Sequence, residues 1–324
     1  MLVTLDFLAQ KLSTTVRHLR ELARNRNGSY AHRTIPKKKR GGRRPIAVPV
    51  RDLRPLLDRL DHLFRSMELL PLHAAAHGFR EGHSVATHAK VHAGAAVLVS
   101  VDLQDWFTTV TTTDLDLALR TAHVGSLHGI EPGPQWTGDA ARVVAKICTD
   151  VGGECGGHLP QGAPTSPLLA NFAARYLDRW LAKTAQEFGF RYTRYADDLT
   201  FSSPTPAGYA CVKRLLELVG KWVHDEGFTV NWHKVRVVRT WRRMEVAGLV
   251  VNPVRVSADG VSADNGATPV RCSRVYVRQI RAAINNYHKG RAKWTREQIV
   301  SAVAFVTMVN KEQGEKLGRG LSCE

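Results

Sequence analysis

The chain has 324 residues, 44% of them hydrophobic, and its 46 Lys and Arg residues against 29 Asp and Glu residues give a formal net charge of +17. This length can bury a sizeable core in two or three lobes, and five cysteines without a CxxC pair argue against a disulfide framework or zinc finger. Since the sequence shows neither a signal-peptide pattern nor a long apolar run, we expect a soluble, cytoplasmic protein.

The N-terminal region alternates between helical patterns and one pair of strands. Apolar residues at helical spacing predict one or two helices in residues 6–24 and a core helix in residues 54–70. Between them, residues 30–50 are predicted to form two short strands joined by a basic turn with glycines. Seven basic residues and no acidic one fall in residues 33–44. A basic hairpin tip of this kind can close over a phosphate.

Strands in the middle of the chain lead into acidic residues. A buried strand at residues 95–101 ends on Asp102, and strands at residues 190–194 and 199–202 flank a hairpin tip with Asp197 and Asp198. Helices are predicted for residues 113–123, 138–149, 166–188 and 209–226. Cys148, Cys155 and His158 could be drawn as a metal site, but they lack a fourth ligand, so ordinary cysteines are favoured.

The C-terminal region carries a second basic run, with eight basic residues and no acidic one in residues 271–296. A helix predicted at about residues 272–287 aligns Arg271, Arg274, Arg278 and Arg281 on one face, beside an apolar face. Such a stripe suits contact with a phosphate backbone. A second helix is predicted for residues 295–313.

The positive charge implies a polyanionic partner, because each neutralised phosphate releases condensed counterions. Nucleic acid is the first candidate and a membrane surface the second. One basic run alone could equally be a solvated face. Two separated runs in a chain with clustered carboxylates favour nucleic acid.

The three aspartates predict two-metal phosphoryl transfer. Nucleotide addition needs an activated 3′-hydroxyl and a neutralised pyrophosphate, and two Mg²⁺ ions about 3.5–4 Å apart provide both. Mg²⁺ prefers carboxylate oxygens, which Asp102, Asp197 and Asp198 would supply from adjacent strands of one sheet. An Asp-Asp pair alone is usually a solvated turn. Here the pair lies between apolar strands and follows a second strand-terminal aspartate.

Four motifs resemble those of reverse transcriptases and occur in that family's order over residues 30–252. Tyr195-Ala196-Asp197-Asp198 resembles the signature hairpin, and the run from Ser100 to Phe107 resembles the first catalytic strand with its aromatic pair. Residues 159–167 (LPQGAPTSP) resemble the motif that leads into the palm helix, and residues 227–231 with Lys234 resemble the next motif. The combination is highly specific.

The resemblance implies an α+β fold shaped like a right hand. Residues 1–255 would form fingers and palm, with the fingers mainly in residues 1–95 and about 110–160. The palm would be an antiparallel sheet packed on helices. Residues 256–324 would form a small, basic, helical thumb that binds RNA.

The resemblance also assigns roles to particular residues. Asp102, Asp197 and Asp198 would be catalytic and, with Leu103, would bind two Mg²⁺ ions. Nucleotide contacts would come from Lys39, Arg44, Leu103, Phe107, Gln161, Gly162 and Lys234, and nucleic-acid contacts from Tyr195, Arg271, Arg274, Arg278 and Arg281. As the steric gate, the Phe107 ring would clash with a 2′-hydroxyl and select deoxynucleotides; the alternative is a core phenylalanine.

Residues 76–92 and the overall layout are similar to bacterial retron enzymes. Those enzymes typically have Asn-Ala-x-x-His where this chain has His88-Ala89-Lys90-Val91-His92, and Val-Thr-Gly where it has Val246-Ala247-Gly248. His77 and His83 join His88 and His92 in a set that could mimic a metal cluster, although polar contacts to RNA or to the palm are favoured.

A retron enzyme would act on a cognate structured noncoding RNA that serves as template and primer. It would use deoxynucleoside triphosphates and make branched RNA-DNA (msDNA) in anti-phage defence, with an effector protein and no membrane partner. One alternative is another stand-alone bacterial reverse transcriptase, of abortive-infection, unclassified-defence or group II intron origin. The other is a catalytically idle RNA-binding protein, against which the intact Asp102, Gln161 and Phe107 argue.

Overall fold

The computed structural model describes residues 1–36, 42–50, 53–124, 130–152, 156–253 and 270–320. Its helices are α1 (Leu5–Lys11), α2 (Val16–Arg24), α3 (Leu53–Ser66), α4 (Val85–Val91), α5 (Thr112–Arg120), α6 (Gly138–Ile147), α7 (Ser166–Ala173), α8 (Arg175–Glu187), α9 (Val212–Asp225), α10 (Arg274–His288), α11 (Arg296–Val309) and α12 (Lys311–Gly318). Its strands are β1 (Leu2–Val3), β2 (Tyr30–Pro36), β3 (Arg43–Pro49), β4 (Val97–Asp102), β5 (Gln135–Trp136), β6 (Arg191–Tyr195), β7 (Asp198–Ser203), β8 (Arg236–Arg239), β9 (Glu245–Val246), β10 (Leu249–Val250) and β11 (Arg271–Cys272). Short 3-10 helices span Pro206–Cys211 and Trp232–Lys234. The predicted α+β class is confirmed.

The central sheet has four strands in the order β6-β7-β4-β8, and every neighbouring pair is antiparallel. Val97, Val99 and Val101 of β4 face the larger hydrophobic core, whereas Leu98 belongs to a second core. Because side chains alternate along a strand, Asp102 lies on the same face as Leu98. One face of β4 therefore packs on the larger core, and the other face carries Leu98 and Asp102. An antiparallel sheet packed on helices agrees with the predicted palm.

Helices on both sides of the sheet complete the two cores. The larger core is built from α3 and α5 to α9 together with the odd-numbered positions of β4. The second core joins α4 and Leu98 to the β9-β10-β11 sheet and to α10, α11 and α12. The predicted lobe boundary at residues 255 and 256 lies outside the described residues. No helix in the described ranges is long and apolar enough to cross a bilayer.

Three predicted helices differ in their bounds from the sequence patterns. Residues 166–188 form α7 and α8 with a break at Ala174, and residues 209–226 begin as a 3-10 helix before α9. The C-terminal pattern splits at Asn310, whose backbone is extended and whose side chain accepts a hydrogen bond from the Gln313 N–H to cap α12. A capping side chain thus accounts for the division of the last apolar pattern into α11 and α12.

The predicted four-arginine helical stripe is wrong in one member. Ser273 caps the N-terminus of α10, so the helix begins at Arg274. Arg271 lies before the cap in β11, where it pairs with Val250. Arg274, Arg278 and Arg281 are exposed on α10. The continuous cationic face of this helix therefore has three arginines.

The histidines of the α4 region contact the palm sheet. The Thr193 hydroxyl on β6 lies 2.7 Å from both His88 Nδ1 and His92 Nε2, and His92 Nδ1 lies 2.7 Å from the Ser202 hydroxyl on β7. Among the described residues no three His, Cys, Asp or Glu side chains are arranged to hold a metal ion. The predicted polar contacts to the palm are confirmed for His88 and His92. Cys148 is buried and Cys155 lies outside the described residues.

Burial keeps these histidines neutral. Burial, followed by the nearby His77, lowers the pKa of His88 to about 3. Burial, followed by the neighbouring His88 and Arg191, lowers the pKa of His92 well below its ordinary value. An unfolded histidine protonates near pH 6.5, so the unfolded chain binds more protons below that pH. The free energy of unfolding should therefore fall as the pH drops below about 6.5.

Replacing His88 by asparagine, the residue typical of retron enzymes at this position, should make the protein less sensitive to acid. The His88 shift alone corresponds to about 2 kcal/mol of unfolding free energy lost between pH 7 and pH 5. His88→Asn should reduce that loss by about this amount in urea denaturation at the two pH values. The exposed His224→Asn variant serves as control. An equal loss in His88→Asn and the wild type would contradict the assignment.

Candidate active site

The tip of the β6-β7 hairpin is a strained two-residue turn. Tyr195 pairs with Asp198, which leaves Ala196 and Asp197 as the turn. Ala196 has a φ of 55°, in the left-handed region that costs a residue with a side chain about 1 kcal/mol. A positive φ at the first turn position suits the twist of a tight hairpin. The turn places Asp197 at the tip and Asp198 at the start of β7.

The strand register brings the three predicted aspartates together. Asp102, the last residue of β4, pairs with Asp198 of β7. The Leu103 N–H donates to the Asp197 carbonyl oxygen over 2.9 Å, which ties the turn to the end of β4. On the other side, the Asn231 N–H donates to the Asp102 carbonyl oxygen over 2.8 Å. Backbone hydrogen bonds therefore fix all three acidic residues where the end of β4 meets the start of β7.

The charges of the three neighbouring carboxylates favour the binding of a cation. Burial, followed by repulsion from Asp197 and Asp102, raises the pKa of Asp198 to about 6. Burial and the Asp102 charge also raise the pKa of Asp197, against the opposite effects of Lys234 and Arg44. Neighbouring carboxylates of this kind are stabilised by a cation that restores their ionised forms. The donor set fits a hard divalent cation.

The Lys234 ammonium already lies against one of these carboxylates. Its Nζ donates to Asp102 Oδ1 over 2.6 Å, and the Asn231 side-chain amide reaches the same oxygen over 3.3 Å. The three aspartates are neighbours but do not form a closed metal cage, in line with the finding for the described residues as a whole. A divalent cation at Asp102 must therefore compete with Lys234.

The basic β2-β3 hairpin docks on the loop that carries Gln161 and Gly162. The Ala47 N–H of β3 donates to the Gln161 carbonyl oxygen over 3.0 Å. Gly162 has a φ of 137°, and a Cβ there would lie 2.7 Å from the Ala47 carbonyl oxygen, so only glycine allows this approach. Arg44 of β3 is exposed and lies close enough to lower the pKa of Asp197. The structure therefore brings Arg44, Gln161 and Gly162 to the same side of the site.

The other predicted residues lie around the aspartates. Phe107 is half-buried against the larger core, in the turn that follows Asp102. Leu103 is buried and forms a bridge with Val230. The Tyr195 ring is half-buried, with its centroid 6.3 Å from that of Phe79. Lys39 lies outside the described residues, and Arg271 in β11 is separate from this cluster along the chain.

Residues 35–263 match the family model described as Reverse transcriptase (RNA-dependent DNA polymerase). The chain belongs to the reverse transcriptase family. Members of the family generally use divalent metal ions, in agreement with the carboxylate cluster.

Curated relatives of this reverse transcriptase are retron enzymes. It is 37% identical to the retron Mx162 reverse transcriptase of Myxococcus xanthus, over 95% of this chain and 64% of the relative. It is 33% identical to the retron Mx65 reverse transcriptase of the same organism, over 91% of this chain and 65% of that one. The chain thus spans just under two thirds of these relatives. The retron Ec86 reverse transcriptase of Escherichia coli is 27% identical, over 94% of this chain and 83% of its own. The predicted resemblance to the retron type is confirmed.

A buried arginine behind the turn is a feature of this reverse transcriptase that the sequence did not reveal. Arg194 and Asp178 are both 0% exposed and form an ion pair, with Arg194 Nε donating to Asp178 Oδ1 over 2.8 Å. Arg194 Nη1 also donates to the Ala196 carbonyl oxygen over 3.1 Å. The guanidinium lies 4.7 Å from the centroid of the Trp106 ring. One cation therefore contacts the strained turn and the residue beside Phe107.

Further contacts close the turn from behind. Arg194 Nη1 donates to Asn171 Oδ1 over 2.7 Å, and the Asn171 amide donates to the Gly78 carbonyl oxygen over 2.6 Å. A Cβ at Gly78 would lie 2.7 Å from the Ala196 nitrogen, so this segment packs directly on the turn. The sequence does contain a signal, because Arg194 and Asp178 are opposite charges at core-facing positions of a predicted strand and helix.

Removal of the Asp178 charge should destabilise the fold strongly. Asp178→Asn leaves the Arg194 guanidinium buried without its counter-charge, which costs about 3–5 kcal/mol of unfolding free energy. Asp225→Asn, which breaks the exposed Lys221 pair, should cost less than about 1 kcal/mol. Urea denaturation of both variants measures the difference. Similar small losses in the two variants would contradict the role of the buried pair.

Proposed function

We propose that the chain is an RNA-directed DNA polymerase of the retron type. The observation that carries the proposal is the pairing of Asp102 with Asp198 across β4 and β7, with Asp197 at the adjoining turn. Their raised pKa values, the docked basic hairpin and the family membership support it. In this proposal the catalytic residues are the three aspartates.

Two Mg²⁺ ions are the proposed cofactors, held by Asp102, Leu103, Asp197 and Asp198. When bound, such ions activate the attacking 3′-hydroxyl and neutralise the leaving pyrophosphate. The backbone hydrogen bonds at Leu103 and Asn231 keep the carboxylates adjacent, and bound cations would favour their ionised forms. Lys234 neutralises Asp102 in the free protein and would be released toward the triphosphate when the site fills.

Binding of the deoxynucleoside triphosphate is proposed for the face between the basic hairpin and the aspartates. Arg44 and Lys39 would hold the phosphates, Arg44 through its planar fork of donors. Gln161 would contact the nucleotide, and Gly162 allows the backbone to approach it. Phe107 is half-buried beside the aspartate strand, which suits a ring that limits space at the 2′ position of the sugar.

The proposed template and primer is a cognate structured noncoding RNA. Arg274, Arg278 and Arg281 are exposed on one helix, where they can contact successive phosphates, and Arg271 would join them from β11. Tyr195, at the turn, would contact the primer end. Synthesis would yield branched RNA-DNA for anti-phage defence with an effector protein. We further propose fingers and palm in residues 1–255 and a thumb in residues 256–324.

The proposed metal site predicts a large loss of polymerisation in a double variant. Metal-assisted charge stabilisation is worth several kcal/mol, so Asp197→Asn with Asp198→Asn should slow primer extension on an RNA template with Mg²⁺ at least about a hundredfold. Asp58→Asn, an exposed aspartate of α3, should extend at the wild-type rate. Unfolding curves show whether the double variant is folded. Equal extension by wild type and a folded double variant would refute the site.

The retron assignment predicts a defined nucleic acid bound to the purified protein. The wild-type protein, expressed with the genomic DNA around its gene, should copurify with one short structured RNA joined to DNA through a branch. The aspartate double variant should carry the same RNA without DNA. Sequencing and debranching of the bound nucleic acid measure both. Random or absent DNA in the wild type would favour another stand-alone reverse transcriptase.

A further inference from the structure

A third acid-free basic stretch lies in residues 227–244, outside the two runs that the sequence patterns emphasise. It contains Lys234, Arg236, Arg239, Arg242 and Arg243. It also contains Trp241, which is 65% exposed. Lys234 and Arg236 lie near the aspartates. Arg239, Trp241 and Arg242 lie farther along the stretch and have no part in the site described above.

Arg239 is stacked against two exposed rings. Its guanidinium carbon lies 4.1 Å from the centroid of the Trp241 ring and 4.5 Å from that of Tyr209, which is 48% exposed. Such short distances are typical of guanidinium groups packed on aromatic faces. We call Tyr209, Arg239 and Trp241 the stacked triad. The triad is preorganised at the surface, so a ligand need not order these side chains.

The strand register separates the stacked triad from the catalytic carboxylates. Arg239 pairs with Val97, the first residue of β4, whereas Asp102 is the last. Paired residues share a sheet face, and Val97 and Asp102 lie on opposite faces because five positions separate them. At about 3.3 Å per residue, the two ends of β4 are about 17 Å apart. The triad therefore lies at the far end and on the other face of the palm sheet.

The chemistry of the stacked triad fits unpaired nucleic acid. Exposed aromatic rings stack with bases of any sequence, and neighbouring cations contact the backbone. A guanidinium whose planar faces contact rings can still donate from its edge to a phosphate. The exposed Arg242 extends the positive charge, and the stretch has no acidic residue until Glu245. This charge pattern favours a polyanion over a protein partner.

We propose that Tyr209, Arg239 and Trp241 form a stacking platform for a single-stranded segment of nucleic acid outside the polymerase cleft. The proposal rests on the proposed function, because it gives the RNA, or the DNA made from it, a second contact. The platform holds one or two unpaired bases on the rings and one phosphate on Arg239. It holds them away from Asp102, so it tethers the nucleic acid without taking part in nucleotide addition.

The test is binding of labelled 12-mer oligocytidylate, as RNA and as DNA, to the full chain by fluorescence anisotropy. An excess of an unlabelled, fully paired, blunt-ended rA·dT hybrid, which has no unpaired bases to occupy the platform, fills the polymerase cleft. Trp241→Leu should weaken binding about 5- to 150-fold, the range that a base stacked on an aromatic ring contributes, and Trp241→Phe should restore most of it. Arg239→Gln should also lower the slope of log affinity against log salt by about one. Comparison of the affinities for the RNA and the DNA oligonucleotide shows which of the two the platform prefers.

Matched controls separate the platform from general charge and from polymerisation. Trp232→Leu removes another exposed tryptophan of the same stretch, and Arg17→Gln removes a distant exposed cation; both should bind as the wild type. Trp241→Leu should retain wild-type primer extension on poly(rA)-oligo(dT). If Trp241→Leu and Arg239→Gln bound the oligonucleotide with wild-type affinity, the proposal would be overturned and a protein partner would be the remaining candidate for this surface. An equal loss of affinity in Trp232→Leu would also overturn the proposal. If the wild-type protein bound the oligonucleotide but extended no primer, the proposed polymerase function would be refuted and the proposed platform would stand.

Discussion

The burial of the Arg194 guanidinium against Asp178 is the interaction on which the turn at Ala196 and Asp197 depends. Removing a charge from water costs several kcal/mol, and Asp178 offsets that cost only while the two groups stay in register. The same guanidinium holds the carbonyl oxygen of Ala196, whose backbone is in the left-handed region. Because Asp178 lies on α8 and Ala196 in the turn, helix packing fixes the position of the aspartates. Strain at the turn is thus maintained by an ion pair in the core.

The front of the same turn has the opposite electrostatic character. Asp197 is half-buried and Asp198 is exposed at the start of β7, and within the described part of the chain neither forms an ion pair. Desolvation and repulsion among the aspartates raise their pKa values. Lys234 partly compensates through Asp102. Behind the turn, the Arg194–Asp178 ion pair provides rigidity. In front of it, the incompletely neutralised carboxylates of Asp197 and Asp198 favour a cation. Rigidity and affinity for a cation therefore come from different residues. Functional sites often include locally unfavourable interactions, whose cost in stability is offset by interactions elsewhere in the fold.

Local patterns predicted the elements that carry the chemistry, and tertiary contacts decided what the sequence missed. A continuous apolar run and two short apolar strands around a tight turn were enough to predict β4, β6 and β7, and hence that Asp102, Asp197 and Asp198 come from adjacent strands. Arg194 reads as an ordinary strand residue, because its partner Asp178 lies on a helix 16 residues earlier. Arg271 fits the helical spacing of Arg274, but the Ser273 cap begins the helix after it. The stacked triad was missed because Tyr209 and Arg239 meet only when β8 pairs with β4.

The two faces of the palm sheet also explain the distribution of positive charge. β8 is an edge strand, and exposed edges invite pairing with other chains unless charged side chains discourage it. Arg236 and Arg239 on β8 meet that requirement and at the same time attract phosphate. Basic residues lie on the β2-β3 hairpin, on β8 and on α10. An RNA folded to reach two of them gains the second contact at high effective concentration. Under the proposed function, a structured RNA would then be selected by the spacing of its backbone contacts, without any need to read its bases.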